Sequence, residues 1–201
     1  MLRGEAASET TRVHDHDFYA TNDIELLTGR TVEAVDVVAG RIRLDGREHL
    51  PFSAAVLATG AAPRRLDVPG ADLDGVHYLR ELGDARRLGD AVRSADRVAV
   101  VGAGWIGSEV AASARQMGAE VVLVDPGPVP LQRVLGREVG EVFRQLHADN
   151  GVRLRLQTGV VELRGAGRVE QVVLDGGEIE SADVVVVGIG VTPRVELARA
   201  A

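Results

Sequence analysis

The sequence predicts an α/β fold: strands and helices alternating around a parallel sheet, with an antiparallel insert and a separate unit ahead of it. Two observations carry that prediction. From residue 84 to residue 190, short apolar runs alternate with stretches whose apolar residues recur at helical spacing. Late in this stretch, three further apolar runs are divided by Gly165-Ala166-Gly167 and Asp175-Gly176-Gly177, turns that favour antiparallel pairing. With 45% of its 201 residues hydrophobic and its glycines dispersed, the chain has material for buried cores.

Taken in order, residues 18–26 lead into Thr31-Val32-Glu33-Ala34-Val35, which alternates as a strand does. Arg41-Ile42-Arg43-Leu44 followed by Asp45-Gly46 reads as half of a hairpin. Ala54-Ala55-Val56-Leu57-Ala58, ending at Thr59-Gly60, is continuous enough to predict a buried strand. Pro63, Pro69 and Gly70 then interrupt the pattern, and the boundary between units is placed at residues 70–76. Asp84 is expected to cap a helix carrying Ala85, Leu88, Ala91 and Val92 on one side. Val98-Ala99-Val100-Val101 predicts a buried strand, followed by a glycine loop and a helix through Met117. Val121-Val122-Leu123-Val124 is a second such strand. Val139, Val142, Phe143 and Leu146 fall at i, i+3, i+4 and i+7, predicting a helix over 137–149 with His147 on its polar, solvent side. Asn150-Gly151 stops it. Strands at 152–156, 160–163, 169–174 and 183–187 complete the series.

Composition and charge exclude several classes. A net charge of −7 with interleaved arginines disfavours nucleic acid and anionic membrane as partners. The absence of cysteine removes disulfides, thiolate metal sites and thiol redox centres from these residues. The first twenty residues lack a signal-peptide core, and the longest apolar run, at 184–191, is too short to span a bilayer. A cytoplasmic location is the expectation. His14-Asp15-His16-Asp17 has no helical spacing and no further ligands nearby, so it reads as a polar loop and no metal is expected. No nucleophile triad or carboxylate pair emerges.

The chemistry concentrates at Val101-Gly102-Ala103-Gly104-Trp105-Ile106-Gly107. A Gly-x-Gly-x-x-Gly match gains meaning here from its context: an apolar strand before it, an amphipathic helix after it, and a second apolar strand ending in an acid. Gly102 allows the tight turn, Gly104 lets a pyrophosphate approach the backbone, and Gly107 lets helix and sheet pack closely. The helix N-terminus offers unpaired N–H groups to the anion. Asp125, roughly twenty positions on, can accept hydrogen bonds from the adenosine ribose and repel a 2′-phosphate. The expected ligand is a nicotinamide dinucleotide in a Rossmann-like domain, NAD(H) in preference to NADP(H). Ala103, Trp105 and Ile106 lie within the loop, and Arg133 is the next basic residue able to reach the adenosine half.

The stretch from Val101 through Gly107 and on to Ser108-Glu109-Val110-Ala111-Ala112 resembles the NAD loop of the FAD-dependent pyridine nucleotide-disulfide oxidoreductases. Within that superfamily it is most similar to the ferredoxin reductases of the putidaredoxin-reductase-like branch. Val56-Leu57-Ala58-Thr59-Gly60-Ala61-Ala62-Pro63-Arg64 resembles the segment returning from the flavin domain. Gly75-Val76-His77-Tyr78-Leu79-Arg80 and Gly188-Ile189-Gly190-Val191-Thr192-Pro193 resemble the segments leading into and out of the NAD domain. The resemblance implies a flavoprotein oxidoreductase in which NADH reduces FAD and the flavin passes electrons to a ferredoxin-type iron–sulfur protein. It puts Glu109 near the nicotinamide carboxamide, Gly188, Ile189 and Gly190 beside the cofactor, and Thr59, Gly60 and Arg64 against the flavin. For Glu109 a helix-dipole role, and for Arg64 a solvated surface role, are equally open.

The resemblance also implies a division into a partial FAD-binding domain at 1–72, an NAD(H)-binding domain at 73–192, and a return to the flavin domain at 193–201. The family's first glycine loop, which holds the ADP half of FAD, has no counterpart before Val56, and its second flavin stretch and interface domain have none after Pro193. The chain is thus expected to be truncated at both ends, not to retain FAD, and to be inactive as a fragment. A non-catalytic NAD(H)-binding module and one part of a split reductase are the alternatives.

Overall fold

Valine-rich runs buried on both faces belong in the middle of a covered sheet, because no residue of such a strand can turn to water. The computed structural model describes residues 2–15 and 17–201 and divides into two compact units. The smaller comprises residues 9–62 and 192–201, and the larger comprises residues 63–191 with the N-terminal residues through Ser8.

In the smaller unit a short helix α1 (Phe18–Thr21) precedes an antiparallel meander of β1 (Val32–Asp36), β2 (Arg41–Leu44) and β3 (Glu48–Pro51). Ile42 pairs with Val35 on one side and Leu50 on the other. Val35 and Leu44 are its buried apolar residues. Arg30 bridges Asp45 and Glu48, and Asp45 also accepts the Thr31 N–H at 2.9 Å, which ties the β2–β3 turn to the chain entering β1. Residues 54–58 do not form the expected strand. They run as irregular chain with Val56 93% exposed, because among the described residues no strand lies beside them to complete a ladder. The strand that does follow is β4 (Ala61–Pro63).

The larger unit contains β5 (Val76–Tyr78), α2 (Leu82–Arg93), β6 (Arg97–Val101), α3 (Trp105–Gln116), β7 (Glu120–Asp125), α4 (Gln132–Asp149) and β8 (Val152–Leu156). After them come β9 (Val160–Arg164), β10 (Gln171–Leu174), β11 (Ile179–Ser181) and β12 (Val184–Val187). Five strands form a parallel sheet in the order β5-β12-β6-β7-β8, with Val100 opposite Leu123 and Val186. The remaining three form an antiparallel meander in the order β11-β10-β9. Alternate residues of the central strands feed two cores. Val98, Val100, Val121, Leu123, Val184 and Val186 pack with Leu88, Val92, Val110 and Ala114 of α2 and α3. Ala99, Val101, Val122, Val124, Val185 and Val187 pack with Leu163, Val169, Val172 and Leu174 of the meander. The fold is thus α/β, a Rossmann-like parallel sheet with an antiparallel insert. The chain leaves through β13 (Val191–Pro193), which forms a two-stranded sheet with β4, and α5 (Glu196–Ala200), which contacts β1.

Several boundaries differ from expectation for identifiable reasons. Residues 63–72, expected with the first unit, belong to the larger: Leu66 and Val68 pack on its meander core and the Leu163 N–H donates to Pro69 at 2.9 Å. Helix α2 begins at Leu82, with Glu81 as its cap; Asp84 closes a capping box by accepting the Glu81 N–H at 2.8 Å. That bond, more than any other contact, holds the Asp84 carboxyl below its ordinary range.

Helix α4 differs most. It starts at Gln132 and is interrupted at Gly136, whose φ is +79°. Most of its apolar stripe faces water, with Val142 65% and Leu146 54% exposed and Phe143 half-buried, while Gly140 and His147 are buried. Gly140 explains the orientation. A Cβ there would meet Val129 Cγ2 at 2.5 Å and the Pro130 carbonyl at 2.6 Å, so the helix makes its close approach on the one side that lacks a side chain.

His147, expected at the surface, is buried with its Nε2 unpartnered, and burial pushes its pKa down. His77 on β5 is lowered too, by burial first and then by Arg168 and Arg87. Because the folded state resists a proton that the unfolded chain accepts below about pH 6.5, stability falls as pH drops through that value. Urea melts at pH 7.5 and 5.5 should show a smaller acid loss for His147→Leu than for the parent, by up to about 1.4 kcal/mol per pH unit. Equal losses in both would contradict this.

Candidate functional site

In an open parallel sheet the ligand crevice lies outside the carboxyl ends of the strands, where the strand order reverses. Here β6 is followed by β7 and β8 on one side, while β12 and β5 lie on the other, so the reversal falls at the ends of β6 and β12. Gly102 and Gly188 occupy those two ends. The Gly188 N–H donates to Val101 O at 2.7 Å and the Gly102 N–H to Val124 O at 2.7 Å. Gly102 has φ +101°, and a Cβ there would stand 2.5 Å from the Gly188 carbonyl. A Cβ on Gly107 would run into the Gly102 carbonyl oxygen. Gly104, in contrast, has nothing within 4 Å of where its Cβ would be. Its missing side chain leaves open space at the start of α3.

The other residues singled out in the sequence take definite places. Ala103 is buried, Ile106 packs on the helix-side core, and Trp105 is 48% exposed at the first position of α3. Glu109 is exposed one turn further on. The Asp125 carboxylate, at the end of β7, accepts the Ala103 N–H through Oδ2 and the Gly127 N–H through Oδ1, both at 2.7 Å. Arg133 is exposed in the short turn of α4 ahead of Gly136. Ile189 packs on the meander core, and Gly190 accepts the Arg64 N–H at 2.9 Å. The larger unit thus gathers Gly102 to Gly107, Asp125, Gly188 to Gly190 and Arg64 along its C-terminal edge. Thr59 and Gly60 belong to the smaller unit, where the Thr59 hydroxyl donates to Arg194 O at 2.5 Å and Gly60 O accepts the Arg194 N–H at 3.0 Å.

Sequence reasoning missed the residues that tie this edge together. Leu131, buried at φ +57°, donates its N–H to Ala103 O at 2.8 Å. Gln157, at φ +59°, donates to Gly127 O at 3.1 Å, and Thr158 to Asp125 O at 3.3 Å. Neither Leu nor Gln signals a left-handed turn; Asp125-Pro126-Gly127 could have signalled the first bend. Beside this loop a cavity of about 450 Å³ is lined by Pro128, Val129, Leu154 and Leu156 together with Arg137, Glu141 and Arg144.

Among the described residues of the smaller unit there is no strand–glycine loop–helix of this kind, so those residues do not fit the ADP half of a flavin dinucleotide. His16 of the His-Asp repeat lies outside the described residues, and among the described residues no three His, Asp or Glu side chains gather as metal ligands. No helix among them is long and apolar enough to cross a membrane.

Comparison with known proteins agrees with this geometry. The family model described as pyridine nucleotide-disulphide oxidoreductase matches residues 2–201. Rhodocoxin reductase of Rhodococcus erythropolis is 39% identical over 98% of this chain and 46% of its own length. The ferredoxin–NAD(+) reductase subunit of the benzene 1,2-dioxygenase system of Pseudomonas putida is 38% identical over 94% of this chain and 46% of its own. Among solved structures, the ferredoxin reductase for the CYP199A2 system of Rhodopseudomonas palustris superposes with a TM-score of 0.93 at 34% identity, covering 99% of this chain and 49% of that one. Putidaredoxin reductase in its covalent complex with putidaredoxin gives 0.91 at 35%, with the same coverage. The chain spans about half the length of the curated relatives it matches. With the family model running from residue 2 to residue 201, the chain belongs to the pyridine nucleotide-disulphide oxidoreductase family.

Proposed function

We propose that the larger unit binds NAD(H), in preference to NADP(H), as the nicotinamide-nucleotide half of a ferredoxin reductase. The observation that carries this reading is the open face of Gly104 at the start of α3, set beside a carboxylate fixed at the end of β7. A pyrophosphate can reach the first N–H groups of α3 without meeting a side chain. Asp125 then faces the ribose, where its charge accepts hydroxyl hydrogen bonds and opposes a 2′-phosphate. Arg133 stands on the adenosine side, and Glu109 and half-exposed Trp105 on the side toward the nicotinamide.

In the intact reductase, bound FAD supplies the hydride-accepting and one-electron-donating chemistry. Relatives named ferredoxin–NAD(+) reductases support a ferredoxin-type iron–sulfur protein as the final acceptor of the intact reductase, and we place the reaction in the cytoplasm, with the NADH pool. Thr59, Gly60 and Arg64 are the residues we place toward the flavin. A purely nucleotide-binding module is the second reading, favoured by the gathering of the glycine loop, Asp125 and Arg133 within the larger unit alone.

Calorimetric titration should give a dissociation constant for NADPH at least about tenfold above that for NADH. Equal affinities would remove the preference, and no binding of either would remove the function. A flavin spectrum that survives gel filtration, with NADH-driven dye reduction, would show that the chain is more than a nucleotide-binding module.

A further inference from the structure

We propose that Asp125 also has a structural role, in which its carboxylate holds the glycine loop in shape, so that removing the acid weakens both nicotinamide dinucleotides instead of exchanging one for the other. This rests on the nucleotide-binding reading above. A residue that only met the ribose would keep its oxygens free for the ligand. Asp125 instead gives one oxygen to the Ala103 N–H and the other to the Gly127 N–H, each at 2.7 Å, with no nucleotide needed.

Ala103 is 2% exposed, so water cannot replace the carboxylate as acceptor for its N–H. Its carbonyl is committed as well, to the Leu131 N–H at 2.8 Å. Both backbone groups of the residue between Gly102 and Gly104 are therefore fixed, one by the last residue of β7 and the other by the segment that follows it. Without Asp125, Ala103 has a buried donor and no partner, and the loop must open or shift to hydrate it. Each carboxylate oxygen accepts more than one hydrogen bond, so the same group still serves the ribose hydroxyls.

The full chain and its D125A and D125N variants test this through amide hydrogen exchange and titration with NADH and NADPH. In D125A, without nucleotide, the Ala103 and Gly127 amides should exchange at least about tenfold faster, while those of Val172 and Leu174 in the meander keep the parent's rates. The dissociation constants for NADH and NADPH should both rise about tenfold. Asparagine retains one acceptor oxygen, so D125N should recover part of the protection at Ala103. Tighter NADPH binding by D125A than by the parent, or unchanged exchange at Ala103, would overturn the proposal. If the parent binds neither dinucleotide, the functional reading fails, and exchange at Ala103 still decides whether the loop is held by Asp125.

Discussion

Replacing Gly104 by alanine should leave the stability of the chain within about 0.5 kcal/mol of the parent and raise the NADH dissociation constant at least about tenfold. The φ of Gly104 is −78°, which any residue adopts, and the added methyl meets nothing within 4 Å. Only the ligand meets it. Gly107→Ala should behave in the opposite way. Its methyl would overlap the Gly102 carbonyl, which is backbone and cannot swing aside, so helix α3 must lift from β6. A loss of about 3 kcal/mol is expected, together with loss of binding. Urea melts and NADH titrations of the two variants separate a steric requirement of the ligand from one of the fold. Unimpaired binding by Gly104→Ala would place the pyrophosphate elsewhere.

The second large effect concerns Glu180 of β11. Its carboxylate is 5% exposed and accepts from Arg155 Nε at 2.6 Å, with Arg153 at 3.2 Å. Both arginines sit on β8, so the cluster ties the meander to the edge of the parallel sheet. The two arginine side chains are 42% and 53% exposed, and the partners are therefore not equivalent. Glu180→Gln leaves cations that water can solvate and should cost about 1 kcal/mol. Changing both arginines to methionine strands a buried anion and should cost about 3 kcal/mol or more. Equilibrium unfolding of the two variants compares these costs, and a larger loss for Glu180→Gln would refute the asymmetry.

The sequence reveals most where one residue's neighbours determine its place. Val98 to Val101, Val121 to Val124 and Val184 to Val187 are apolar at every position, and only a sheet covered on both faces accommodates them. The glycine loop is legible because each glycine answers a local demand. Helix α4 shows where periodicity misleads: Val139, Val142 and Leu146 define a stripe, yet Gly140 decides which side closes on Val129 and Pro130, and hydropathy gives glycine little weight. His147 is buried as a consequence. Strands of three residues, such as β5 and β11, are too short to show a period. The bonds of Leu131 to Ala103 O and of Gln157 to Gly127 O could not be read at all, since they join backbone groups far apart in the chain through left-handed positions held by leucine and glutamine. Residues 54–58 have strand composition but, among the described residues, no neighbouring strand, and composition alone does not make a ladder.

The pairing of Arg64 with Gly190 bears on how this unit can be rearranged. The long segment from residue 63 to residue 191 enters and leaves within one backbone hydrogen bond of itself, 2.9 Å between donor and acceptor. Segments with adjacent ends are the ones that tolerate transplantation and circular permutation, since joining the ends closes a short loop at small entropic cost. A permuted gene that links these ends and opens the exposed Gly165-Ala166-Gly167 turn would keep the strand order of the parallel sheet intact. What it would sever is the docking of Leu2 on the helix-side core, which a short added peptide could restore.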